Sequence, residues 1–260
     1  MQNIGSDISG VRNLVKGLSR PNTSACAEVF STGLRELDAH LGGGLRREAV
    51  HEVFATETGQ AQAADGFALG LALRSEPKSL VWVMQTRAFS ETGAPYGPGV
   101  EDWGLETSSL ILVTVRDTAH LLSAGEEALA SGAADAVLLS SWGEGPAFTL
   151  TASRRLALAA ARGRSTGFFV RAAASPAPSA AETRWRVRAA SSTPLEAQAP
   201  GLPALAVELL RTRSGAPSGE WIVEWDREAR TFAAQAAPRG LVSLPADRAA
   251  GTGQGGRRAA

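Results

Sequence analysis

The sequence predicts an α/β domain: a doubly wound, mostly parallel sheet flanked by helices, with antiparallel strands added toward the C-terminus. Two observations carry this. Apolar runs at 49–54, 79–85, 109–115, 134–141 and 166–171 are separated by segments whose apolar residues recur at helical spacing. Strands alternating with helices of that length pair in parallel through crossover connections. After Arg171 the period becomes two, in 184–188, 204–213 and 220–226, with no helical segment between them. Such runs fit antiparallel strands that extend the sheet.

Taken in order, residues 1–28 form an arm and linker, in which Ile8, Val11, Leu14, Val15 and Leu18 share one helical face with Arg12, Lys16 and Arg20 between them. Such a helix packs on the core or serves a partner. In 31–54, Leu34, Leu37 and Leu41 make a helical stripe, Gly42-Gly43-Gly44 ends it, and a buried strand follows. Ala64, Phe67, Ala68, Leu71 and Ala72 fall on one face of a helix ending near Arg74. The run at 79–85 is apolar throughout, as a strand covered on both faces must be, whereas 91–104 is rich in Gly and Pro and reads as mostly loop. Asp117 or Thr118 caps the next helix, which turns Leu121, Gly125, Ala128 and Leu129 inward. After a short loop at 142–148, Thr149 or Thr151 caps a helix with Ala152, Leu156, Ala159 and Ala160 inward and Arg154, Arg155 and Arg162 outward. Residues 172–183 are an Ala/Pro/Ser loop with nothing to bury. The core therefore spans 29–232, and 233–260, where Gly, Ala and Arg predominate, reads as a flexible tail.

Charge sets a limit on function. The 260 residues carry 26 Lys+Arg against 26 Asp+Glu, so any nucleic-acid contact must come from a local patch. The single cysteine, Cys26, cannot form an internal disulfide and fits a reducing compartment. The N-terminus lacks the features of a signal peptide and no apolar run reaches bilayer length, so a soluble, cytoplasmic protein with no membrane partner is expected.

The string S-T-G-L-R-E-L-D-A-H-L-G-G-G-L at 31–45 resembles the entry to the ATPase core of the RecA family. Within that superfamily the chain is similar to the ImuA family, the inducible mutagenesis accessory proteins of bacteria, which are related to SulA. The resemblance also rests on 150–164 (LTASRRLALAAARGR), Arg184-Trp185-Arg186-Val187, 207–211 (VELLR) and 219–223 (GEWIV). It implies a RecA-like fold and a role in the SOS response to DNA damage, in translesion synthesis alongside ImuB and an error-prone DNA polymerase. It further implies that 142–148 and 172–183 match the two DNA-binding loops of RecA; RecA assembles through an N-terminal arm, and residues 1–28 either serve self-association in the same way or only cover the core.

Phosphoryl transfer requires several charges placed at once, and three positions lack them. Where the resemblance puts a phosphate loop, the chain reads Ala55-Thr56-Glu57-Thr58-Gly59-Gln60-Ala61, with Gly59 the only glycine and Ala61 in the place of the lysine. Ser140-Ser141 stand at the end of the fourth strand, where a RecA-like ATPase has its Mg²⁺-associated Asp; Asp135 lies at the strand's other end, the wrong one for a ligand site. Met84-Gln85-Thr86-Arg87 stand where the family has a water-activating Glu. We therefore expect a non-catalytic protein with no catalytic residue, metal or cofactor, in which Ala55, Gly59 and Ala61 are vestigial phosphate-loop positions. A helix N-terminus still offers N–H groups to an anion, opposed by Glu57 and Asp65.

Other chemistry is sparse. His40, His51 and His120 lack metal-ligand spacing, and Cys26 has no partner for a zinc site. Gly42-Gly43-Gly44 precedes a strand rather than opening a helix, which suits a tight turn. Alternation puts Arg184, Arg186 and Arg188 on one strand face and Trp185 and Val187 on the other. The arginines are either a weak contact for single-stranded DNA or a partner, or a solvated face that discourages edge pairing. Trp221 and Trp225 share one side of a strand, as core residues or as interface anchors. The resemblance leaves two other functions open: a divergent RecA-like ATPase acting as a nucleotide switch, against which the missing lysine counts, and a SulA-like cell-division inhibitor. SulA-like chains are shorter, and the strands after Arg171 favour ImuA.

Overall fold

Among the described residues each apolar run becomes a strand and each stretch of helical spacing a helix. The computed structural model describes residues 2–4, 28–195, 197 and 199–235. The amphipathic segment at 8–18, Cys26 and the tail from 236 onward lie outside them. In chain order the elements are β1 (Gln2–Ile4), β2 (Val29–Phe30), α1 (Arg35–His40), β3 (Leu45–Arg46), β4 (Val50–Ala55), α2 (Ala61–Arg74), β5 (Leu80–Gln85), α3 (Thr86–Thr92), α4 (Gly97–Asp102), β6 (Leu110–Val115), α5 (Thr118–Ala130), β7 (Ala136–Trp142), α6 (Leu150–Gly163), β8 (Thr166–Ala172), β9 (Thr183–Ala190), β10 (Ala204–Thr212), β11 (Gly219–Asp226) and β12 (Thr231–Ala234).

Ten strands form one sheet in the order β1-β6-β5-β7-β8-β4-β9-β10-β11-β12, and β2 pairs with β3 separately. Pairing is parallel from β1 to β9 and antiparallel from β9 to β12. Helices cover both faces of the parallel part. On one face Leu37 of α1, Phe67 and Leu71 of α2 and Val100 of α4 pack with Val53, Trp185, Trp225 and Phe232. On the other, Leu121 and Leu129 of α5 and Leu156 and Ala160 of α6 pack with Val50, Val137 and Phe169. Strands buried on two faces cannot alternate in polarity, which is why β5 reads as a continuous apolar run.

The entry string has a physical basis. Asp38 Oδ1 accepts from the Thr32 backbone N–H at 2.8 Å and from its hydroxyl at 2.7 Å, tying the segment before α1 back onto the helix. Gly33 has φ +95°, and a Cβ there would lie 1.7 Å from Thr231 Oγ1. At Gly44, φ +132°, a Cβ would lie 2.2 Å from the Phe30 carbonyl oxygen, so the β2–β3 pair closes only over glycine.

Three expectations are corrected. The Gly/Pro-rich stretch at 91–104 is not mostly loop. It includes the end of α3 and the whole of α4, both too short to show a period, and Pro98 sits in the first turn of α4, where its missing N–H costs nothing. Val100 and Leu105 are buried there, and Trp103 stacks on Trp225 at 5.2 Å.

The second correction concerns 172–183, which does bury residues, Ala174 and Ala181 among them. β8 and β9 flank β4 and both run parallel to it, so residues 173–182 must return the chain from one end of the sheet to the other. A seven-residue strand spans ~23 Å and ten extended residues reach at most ~35 Å. The segment is therefore long enough to make the crossover without a helix. Third, Phe232 is buried within β12, a strand that runs on to Ala234.

Candidate functional site

Ligands of open α/β sheets bind outside the carboxyl ends of the strands. Here those ends are Ala55, Gln85, Val115, Trp142 and Ala172. At the phosphate-loop position, Ala55 is fully buried, Thr58–Gln60 form one 3₁₀ turn, and Ala61 is fully buried as the first residue of α2. A phosphate nest alternates right- and left-handed residues so that successive N–H groups converge. No residue from Ala55 to Ala61 has a positive φ, and Gln60 spends its side-chain oxygen on the Ala189 N–H at 2.6 Å.

Behind this turn the chain supplies its own polar filling. Trp82 Nε1 donates to Ser140 Oγ at 2.9 Å, and Ser140 Oγ donates to Asp65 Oδ1 at 2.8 Å. Burial pushes the Asp65 carboxyl up to about 7, against the Ser140 hydrogen bond, which favours the ionised form. Gln85 accepts from the Trp142 N–H at 3.1 Å and so ties the end of β5 to the end of β7. Ser141 Oγ donates to the Val170 carbonyl. Asp135, at the opposite end of β7, accepts from the N–H groups of Lys78 and Ser79.

A second cluster lies under the crossover. Arg171 is buried with its guanidinium 4.2 Å from the centroid of the Phe148 ring and 5.2 Å from that of Phe54. Burial lowers its affinity for the proton, while Glu52 and Glu144 restore part of it. Burial raises the Glu52 carboxyl, opposed by the Ser179 hydroxyl at 2.7 Å and by the charges of Arg171 and Arg184. Glu144 Oε1 accepts from the Ser175 N–H at 3.1 Å, and Ser153 Oγ of α6 from the Ala180 N–H at 3.0 Å. The two segments matched by resemblance to DNA-binding loops are thus fastened to each other and to the sheet.

The arginines of β9 do share a face, and each has an acceptor. Arg184 donates to the Ala177 carbonyl at 2.7 Å, Arg186 pairs with Glu208 directly across the ladder at 2.6 Å, and Arg188 pairs with Glu220. Glu208 and Glu220 stand opposite each other on β10 and β11, a like-charged pair that the two arginines offset. Trp221 and Trp225 share one side: Trp225 is fully buried, and Trp221 is half-buried with its ring centroid 4.9 Å from that of His40.

His51 sits in the core between the Thr183 hydroxyl at 2.8 Å and the Arg46 carbonyl at 2.9 Å; burial lowers its pKa to about 4 and keeps it neutral. His120 belongs to the Asp117 cap of α5. No group of three potential metal ligands occurs among the described residues, and no helix among them is long and apolar enough to cross a membrane. Sequence reasoning missed the Trp82–Ser140–Asp65 chain and the Glu52–Arg171 cluster. The available signals were a glutamate inside an apolar strand and an arginine ending another.

No protein-family model matches the chain. Over an alignment of 249 residues it is 34% identical to Protein ImuA of Caulobacter vibrioides, with 88% of this chain and 95% of that protein covered. The Protein ImuA of a second strain of the species matches with the same identity and coverage.

Proposed function

The chain belongs to the ImuA family, and from that premise we propose that it is a non-catalytic, RecA-like accessory protein of SOS-induced mutagenesis that works by binding other proteins. The partners that the family resemblance implies are ImuB and an error-prone DNA polymerase, acting together in translesion synthesis. The observation that carries the non-catalytic part is the phosphate-loop position. It has no lysine, no left-handed residue and no nest, and the space behind it is taken by Trp82, Ser140 and Asp65. A phosphate placed there would have to displace these hydrogen bonds and would meet the Asp65 carboxyl, which opposes an anion once ionised.

The test is a pull-down with the purified chain against ImuB and the polymerase, with and without ATP and single-stranded DNA. Capture of ImuB independent of ATP is the expected result. No capture, or capture only with ATP, overturns the proposal.

A further inference from the structure

Helix α6 carries two stripes. Leu156, Ala159 and Ala160 face the core. Leu150, Arg154 and Leu158, spaced at i, i+4 and i+8, face away from it, with Leu150 40% and Leu158 70% exposed. Large side chains repeated along one exposed helical face are not needed for folding. They line one wall of an open groove of about 560 Å³ whose other wall comes from the start of β4, the crossover and the end of β10, with Arg211 and Arg213 on its rim.

The charge of the groove is one-sided. Of its two carboxylates, Glu182 is engaged by Arg46 at 3.7 Å and Glu48 by Arg164 at 2.9 Å. Arg213 donates to the Ala180 carbonyl. Arg154 and Arg211 have no carboxylate partner among the described residues. The occupant must therefore be acidic, and it must bring apolar groups for Leu150 and Leu158. The chain's own segments outside the described residues do not meet the first condition. Residues 5–27 carry Arg12, Lys16 and Arg20 against Asp7, and 236–260 carry Arg239, Arg248, Arg257 and Arg258 against Asp247.

We propose that the groove between α6 and the β4–β10 edge is a docking site for an acidic, leucine-bearing amphipathic segment of a partner protein. Arginines at the rim steer and orient the segment, and the leucines supply the apolar contact. A nucleic-acid backbone would satisfy the arginines and leave the leucines in water. This inference does not depend on which protein the partner is, so failure of the ImuB pull-down leaves it standing.

The test is fluorescence anisotropy on the full chain with a labelled synthetic peptide of about 15 residues, a length that matches α6. The peptide carries glutamates on one helical face and leucines at i, i+4 and i+7 on the other. A serine-for-leucine version and a single-stranded oligo-dT are the comparison probes. Saturable binding of the acidic leucine peptide is expected. It should weaken about tenfold or more with Arg154→Glu plus Arg211→Glu, and separately with Leu158→Ser, while Arg35→Glu on α1 leaves it unchanged. All these positions are exposed, and unaltered melting confirms the fold of each variant. Absence of saturable peptide binding, equal binding of the serine peptide, or binding of oligo-dT that is lost on charge reversal but indifferent to Leu158 each overturns the proposal.

Discussion

Asp65 gives the sharpest test of how the phosphate-loop position is filled. Its carboxyl ionises at about 7 in the folded chain against a reference value of 3.8. Between those values the folded chain holds a proton that the unfolded chain has released, so the stability it confers is complete below 3.8 and gone above about 7. Asp65→Asn removes this dependence while keeping an acceptor for the Ser140 hydroxyl. From pH 5 to pH 8 the difference in bound protons integrates to about 2.6 kcal/mol, and the carboxyl's partial contact with solvent lowers this to about 2 kcal/mol. The variant should therefore gain that much on the parent across the interval, measured by urea unfolding of both proteins at several pH values. Buried His51 acts in the opposite sense, costing stability as pH falls from 6.5 toward 4, but it is common to both proteins and cancels in the difference. A difference that stays flat from pH 5 to pH 8, or shrinks, refutes a proton-holding Asp65.

Other outcomes can be checked in parallel. Ala61→Lys restores the missing lysine by position, yet we expect no gain in binding of a fluorescent ATP analogue and a loss of about 3 kcal/mol in urea unfolding, because Ala61 is fully buried and no nest awaits the phosphates. Gly33→Ala should destabilise by about 2–4 kcal/mol by the same measure, since φ is +95° and a Cβ would run into Thr231. Arg171→Ala leaves Glu52 buried without one of the two cations whose charge favours its ionised form. A loss of about 3 kcal/mol is expected, together with faster proteolysis in residues 173–182, because the cluster pins that crossover. The His51 contribution predicts that the parent loses about 3 kcal/mol between pH 7 and pH 4 beyond what a His51→Gln variant loses.

Much of the sheet was legible because strands buried on two faces leave continuous apolar runs and amphipathic helices leave a stripe. The caps at Asp117 and Thr149 were readable for the same local reason: each side chain accepts from an N–H three residues on. What could not be read was long-range. Nothing local in 172–183 says that its ends lie at opposite ends of a sheet, yet β8 and β9 on either side of β4 require it. Nor does the alternation in 184–188 say that Glu208 stands across from Arg186 or that Glu220 comes within reach of Arg188, because register is set by pairing rather than by either strand alone. The Asp65–Ser140 contact joins residues that lie apart in sequence and meet only because α2 packs on β7.

These long-range contacts decide where an external molecule can be received. An open α/β sheet ordinarily presents free N–H groups and charges at the carboxyl ends of its strands. In this chain Gln60, Asp65, Gln85, Ser140, Ser141 and Arg171 are drawn into contacts with the chain itself, and the arginine row of β9 is offset by Glu208 on β10 and Glu220 on β11. A ligand arriving at either place must first break satisfied hydrogen bonds, and each buried group left unpaired costs about 1–3 kcal/mol. The outer face of α6 asks for no such exchange. Among the described residues Arg154 and Arg211 have no carboxylate partner and Leu150 and Leu158 are exposed, so binding energy spent there goes to the partner rather than to reopening the fold.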